Sequence, residues 1–162
     1  MRNDSARWDA PGPLRFSSDD LTIQDVTLPK QTWVSGTDVL ARYRDQLVTW
    51  PTVVTAETYA LSLRRDRVLL IGETDLAEGY SAETCLAVSD VSDAYQVIDI
   101  SGPAAFQRLC HGAELNLEAH SASVMRRAFG ADVMLYRHGH ATTFRLHVAR
   151  ALMQSVFRQL IG

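Results

Sequence analysis

The chain has 162 residues, 46% of them hydrophobic and 22% charged, with a net charge of -3 at neutral pH. Those values describe one globular domain able to bury a sizeable core without a staple. They argue against a nucleic-acid binder, which concentrates basic charge on one face, and no stretch approaches the roughly 18 apolar residues of a membrane span.

At the N-terminus, Arg2, Asp4, Arg7 and Asp9 interrupt any apolar signal core, so a cytoplasmic protein is expected. Residues 1–20 read as an extended arm. Pro11, Gly12 and Pro13 oppose helix, and Ser17 to Asp20 are polar. Trp8 and Phe16 stand out in this polar segment and fit either docking on a partner or packing on the chain's own domain. Residues 21–162 read as a single α+β domain.

Leu21 to Val26 has the alternation of a strand. A helix is expected next, capped by Thr37 or Asp38, with Val39, Leu40, Tyr43 and Leu47 on one face and an end before Pro51. Two β-rich runs follow, Thr52 to Leu63 and Val68 to Ile71, joined by the charged turn of Arg64, Arg65, Asp66 and Arg67. Gly72 to Thr84 is acidic and reads as a loop, and its spacing matches no calcium loop. Leu86 to Val88 and Tyr95 to Ile100 are strands, joined by the turn-forming Ser89-Asp90-Val91-Ser92-Asp93. Ser101 caps a small helix from Ala104 to about Gly112. Leu115 to Arg127 is partly helical or irregular. Asp132 to Tyr136 and Thr142 to Val148 form a hairpin, with Phe144, Leu146 and Val148 inward and Thr143, Arg145 and His147 on a wet face. Ala149 to Ile161 is an amphipathic helix whose apolar face carries Leu152, Val156, Phe157, Leu160 and Ile161. The whole is α+β: two small β-α-β type modules with antiparallel or mixed sheet, packed helices and an N-terminal arm.

Little in the sequence points to chemistry. His138 and His140 flank Gly139 near a hairpin tip and could approach one metal, with His147 or His120 as third ligand, but solvated turn histidines explain them as well. His111 suits the end of a helix. Asp90 and Asp93 are a possible pair of carboxylates, or turn caps. Cys85 and Cys110 form no C-x-x-C pair and read as two buried, reduced thiols. Gly-x-Ser-x-Gly, the phosphate loop and G-x-G-x-x-G are all absent, so no catalytic, cofactor-binding or metal residues are assigned to this chain. Lys30 is the only lysine beside many arginines. Arginine stacks and pairs well at protein contacts, although a GC-rich genome gives the same bias.

One segment carries a resemblance. Val88-Ser89-Asp90-Val91-Ser92-Asp93, followed by Tyr95 to Ser101 and Gly102-Pro103-Ala104-Ala105-Phe106-Gln107-Arg108-Leu109, resembles a signature of the glycine-cleavage T-protein, or folate-binding, superfamily. Gly112 to Leu117, Asp132 to Arg137 and Thr143 to Arg150 resemble one branch of it, the γ subunit of heterotetrameric sarcosine oxidase. Asn116 stands where that branch has Asp, Ala151 where it has Ser, and Ile71-Gly72-Glu73-Thr74 is what remains of a glycine-rich Gly-Pro-x-Glu-Trp style segment. The resemblance is therefore to a divergent member, whose complex would act on another N-methyl amine such as dimethylglycine or N-methylglutamate.

The resemblance implies a non-catalytic small subunit that braces an amine-oxidising complex. Its partners would be larger flavoprotein subunits, α and β, and a small zinc-binding δ subunit. FAD, FMN, NAD, tetrahydrofolate and a zinc ion would lie on those other chains. Confinement inside such a complex keeps a reactive one-carbon intermediate from water. Candidate anchors for the contact are Trp8, Phe16, Trp33, Trp50, Arg126 and Arg127, each also readable as ordinary core or surface. A stand-alone folate-binding or aminomethyltransferase-like protein is the alternative, although such proteins are about twice this length.

Overall fold

The computed structural model describes residues 13–114 and 116–162. Trp8 lies outside them. Strands β1 (Arg15–Ser17) and β2 (Thr22–Val26) come first, then β3 (Gln31–Gly36), the single turn α1 (Val39–Arg42), β4 (Leu47–Val48) and β5 (Val53–Val54). Next come β6 (Tyr59–Arg64), β7 (Arg67–Ile71), β8 (Gly79–Ser81), β9 (Leu86–Asp90), β10 (Tyr95–Ser101) and α2 (Ala105–Gly112). The chain ends in β11 (Met125–Ala128), β12 (Ala131–His138), β13 (Phe144–Ala149) and α3 (Met153–Ile161). The expected α+β class holds. Two mainly antiparallel sheets form, one of order β1-β2-β10-β13-β12-β11 with β5 pairing β12, the other of order β4-β6-β7-β3-β9-β8. Each sheet contains one short parallel pair, β5 with β12 and β4 with β6. No helix among the described residues is long and apolar enough to cross a membrane.

The first sheet is covered on both faces. Because successive strand residues point to opposite sides, Val133 and Leu135 of β12, with Phe144, Leu146 and Val148 of β13, face Leu109 of α2 and Met153, Val156 and Leu160 of α3. Met134 and Tyr136 point the other way, into a second core with Tyr59, Leu61, Leu69 and Ile71 of the opposing sheet. A third cluster lies on that sheet's far side, where Val34, Val68, Leu70 and Val88 meet Val39 of α1.

Several expectations change for identifiable reasons. The helix expected from Val39 to Leu47 is one turn followed by a 3-10 turn over Arg44–Gln46. Asp38 is left-handed (φ 58°) and its side chain caps nothing. Leu47 and Val48 are drawn instead into parallel pairing with Ala60 and Leu61. Strand β3, which the sequence pattern hides, is the centre of the second sheet, between β7 and β9. The Ser89 to Asp93 turn exists, with the Ser92 amide and hydroxyl donating to the Asp90 carboxylate at 2.9 and 2.7 Å. It does not close a hairpin, however: β9 and β10 go to different sheets. Ser101 ends β10, and Ala104 occupies the helix cap. The acidic loop contains edge strand β8, and residues 116–127 form turns and the start of β11 rather than helix. Leu152 is 44% exposed, off the buried face that Met153 joins in its place.

The largest correction concerns β13. Arg145 is 7% exposed and His147 fully buried, so the expected wet face is covered by the second sheet. Alternation alone cannot distinguish a solvated face from one bearing buried, hydrogen-bonded polar groups.

Candidate functional site

A seam of polar side chains runs between the two sheets. The Tyr59 and Tyr136 hydroxyls lie 2.8 Å apart, and the Tyr136 hydroxyl lies 2.9 Å from His147 Nε2. Beside them Arg145 donates from Nε and Nη2 to the two Asp99 oxygens at 2.7 and 2.8 Å. Register produces this pair: Asp99 of β10 is the direct partner of Arg145 of β13. Burial opposes the guanidinium charge of Arg145, but Asp99's hydrogen bonds and charge outweigh it and hold its pKa above the usual range. Burial, with the positive Arg145 nearby, pushes His147 down to about 3. Burial and the neighbouring Tyr59 push the Tyr136 hydroxyl well up. Near neutral pH, then, His147 is uncharged and both tyrosines keep their protons. The seam supplies neither a ready base nor an activated nucleophile. The Tyr59–Tyr136 contact joins a strand of one sheet to a strand of the other.

The histidines singled out in the sequence are not brought together. His138 packs on the Tyr59 ring at 6.2 Å between centroids, His140 and His120 are exposed, and His147 is in the seam. No group of three or more His, Cys, Asp or Glu among the described residues is placed to hold a metal ion.

The five anchor candidates among the described residues separate by position. Phe16 of β1 is half-buried and packs on the helix-side core. Trp50 is 1% exposed, and its Nε1 donates to the Leu117 carbonyl at 2.8 Å, which leaves it no surface of its own to present. Arg126 is buried beside it, 5.7 Å from the Trp50 ring centroid, and donates from Nη1 to the Ser123 and Met125 carbonyls at 2.9 and 2.7 Å. Burial lowers its pKa. Arg127 is exposed and pairs with Asp132 at 3.2 Å and Glu114 at 3.5 Å.

Trp33 stands at a different kind of place. It is half-buried in β3, with the Arg67 guanidinium 4.8 Å over its ring and Tyr95 6.1 Å away. Arg67 is held there by donating from Nε to the Ser35 hydroxyl at 2.9 Å. Trp33 Nε1 is buried and meets no acceptor among the described residues. These rings line an open cleft of about 520 Å³, with Leu63, Met125, Met134 and Leu152 as apolar lining and Arg64, Arg67, Arg127 and Asp132 as charged lining. Aromatic residues and arginine are the residue types that protein contacts enrich.

No protein-family model matches the sequence, and no curated protein matches it either. Solved structures do match. The fold is that of a chain of heterotetrameric sarcosine oxidase. The likeness is to the enzyme from Corynebacterium sp. U-96, solved in complex with pyrrole 2-carboxylate, at TM-score 0.67 and 20% identity over 91% of this chain and 85% of that one. At this identity the likeness establishes the fold. The high coverage of both chains makes them similar in length.

Sequence reasoning singled out Trp33, Trp50 and Arg126 but missed the seam. The only signal for it was the placement of Arg145 and His147 within an otherwise apolar strand.

Proposed function

We propose that this chain is a small, γ-like subunit of a flavin-dependent amine-oxidising complex of the sarcosine oxidase kind, and that it braces the larger subunits rather than carrying their chemistry. The observation behind this reading is the fold match along nearly the whole of two chains of similar length, one of them a component of a heterotetramer. It agrees with the resemblance carried by the segments between Val88 and Arg150. The seam is consistent with it too, since its titratable groups are locked in their uncharged or paired forms. On this reading the flavins, the nicotinamide nucleotide, the folate and the zinc belong to other chains, and the amine is a small N-methyl compound.

The Trp33 cleft is the contact surface in this account, which gives a direct test. Leu152 is on its rim and outside the core. The substitution Leu152→Asp should leave the melting of the isolated chain almost unchanged, as exposed substitutions do. It should weaken association with the flavoprotein subunits by about tenfold or more, the effect of placing a charge in an apolar contact. Binding of wild-type strength would remove the cleft from the interface.

A further inference from the structure

Arg137 has an unusual position among the described arginines. It lies near the end of β12, beside Phe144 of β13 on one edge and Val53 of β5 on the other. Its guanidinium carbon is 5.5 Å from the Trp50 ring centroid and 5.7 Å from that of Phe144. Two aromatic faces therefore hold the charge in place. The other inward-turned arginines have polar partners: Arg126 donates to backbone carbonyls, Arg145 to Asp99, Arg67 to Ser35. Arg137 Nε is buried and has no acceptor among the described residues, and no carboxylate among them pairs with it. A buried Nε without an acceptor is costly in a folded protein, while the Nη donors of this half-buried side chain are left free for a ligand. Its five donors in a rigid fork are matched best by a planar, two-oxygen anion.

The space beside Arg137 suits such an anion. A cavity of about 470 Å³ opens there, lined by Gly102, Pro103, Phe106, Thr142 and Phe144 together with Arg137 and Ala141. No acidic side chain lines it. The Phe106 and Phe144 rings lie 5.9 Å apart and nearly parallel, at 28°, and offer a flat apolar wall. Thr142 adds a hydroxyl. One cation in an otherwise apolar pocket fits a monoanion with an apolar body better than a phosphate, which calls for more donors.

We propose that this cavity is a binding site for a small organic carboxylate with a flat, apolar body, its two oxygens on the Arg137 fork and its body against Phe106, Phe144 and Pro103. The site is complete within one chain and does not depend on the subunit reading.

Benzoate is the probe, with neutral benzamide as its isosteric control. Titrated into the full chain, benzoate gives saturable amide shifts in NMR spectra centred on Gly102, Phe106 and Thr142. Benzamide binds about tenfold more weakly or worse. Arg137→Met keeps an apolar stem against the rings, so it leaves the melting temperature unchanged or higher and abolishes benzoate binding. Arg137→Lys keeps the charge without the fork and binds with intermediate affinity. Absence of saturable binding, shifts centred elsewhere, or equal binding by Arg137→Met or benzamide would overturn the proposal. The source of the carboxylate is read by repeating the titration on protein purified from its own cells with whatever subunits accompany it. Binding in both preparations assigns a free ligand, whereas binding to the isolated chain alone means that a neighbouring subunit covers the cavity and overturns the proposal.

Discussion

Replacing Asp99 with alanine is expected to cost about 3–5 kcal/mol of folding stability, a large share of the roughly 5–15 kcal/mol that holds a domain of this size folded. The pair it forms with Arg145 is well shielded, with side-chain exposures of 13% and 8%. Both carboxylate oxygens are engaged at 2.7 and 2.8 Å. A surface pair would be worth under about 1 kcal/mol, but here the loss of the carboxylate strands a guanidinium between two sheets with nothing to answer its charge. That stranded charge, more than the lost attraction, sets the size of the effect. Two controls follow. Asp99→Asn should cost less, since an amide oxygen still accepts from Arg145. The double variant Asp99→Leu with Arg145→Met should recover much of the loss, because it removes the charge along with its partner. Urea unfolding of the four proteins reads all of this as midpoint shifts at constant slope. An Asp99→Ala variant as stable as wild type would mean that the seam contributes little to how the sheets meet.

The second large effect is with pH. His147 is fully buried, and burial together with Arg145 lowers it from 6.5 to about 3. Above pH 6.5 the imidazole is neutral in both folded and unfolded chains, and the stability it permits is fully present. As pH falls below that value the unfolded chain takes up a proton that the folded chain refuses, so acid favours unfolding until the folded value near 3 is reached. The slope approaches about 1.4 kcal/mol per pH unit, and by pH 4.5 the loss is about 2–3 kcal/mol. His138 shifts in the same direction through burial and Arg145, so it adds to the trend. His147→Gln keeps a polar group for the Tyr136 hydroxyl but does not titrate. Its stability curve should therefore be clearly flatter than wild type between pH 6.5 and 4. Parallel curves would mean that His147 takes its proton within the fold.

What the sequence made legible, and what it hid, has a physical pattern. The strands with unbroken apolar runs or clean alternation, such as β7, β10 and β13, could be located, as could α2 and α3 with their apolar stripes. Strand β3 was missed because Gln31-Thr32-Trp33-Val34-Ser35-Gly36 shows neither signal; its burial comes from neighbours on both edges. The helix expected from Val39 failed because a helical spacing of apolar residues also suits a turn followed by a short strand, and tertiary pairing decided between them. The seam was invisible for a related reason. Arg145 and His147 look solvated in alternation, and only a second sheet packed on that face reveals them as buried. Among the anchor candidates, Trp33 could be named but not placed, and nothing in the sequence distinguished it from the core residue Trp50.

The measurement that bears most directly on the central proposal is size-exclusion chromatography of the untagged protein from its own cells, with mass identification of each fraction. The account predicts co-elution with yellow, flavin-bearing subunits in fixed stoichiometry. A colourless chain running alone as a monomer would contradict it.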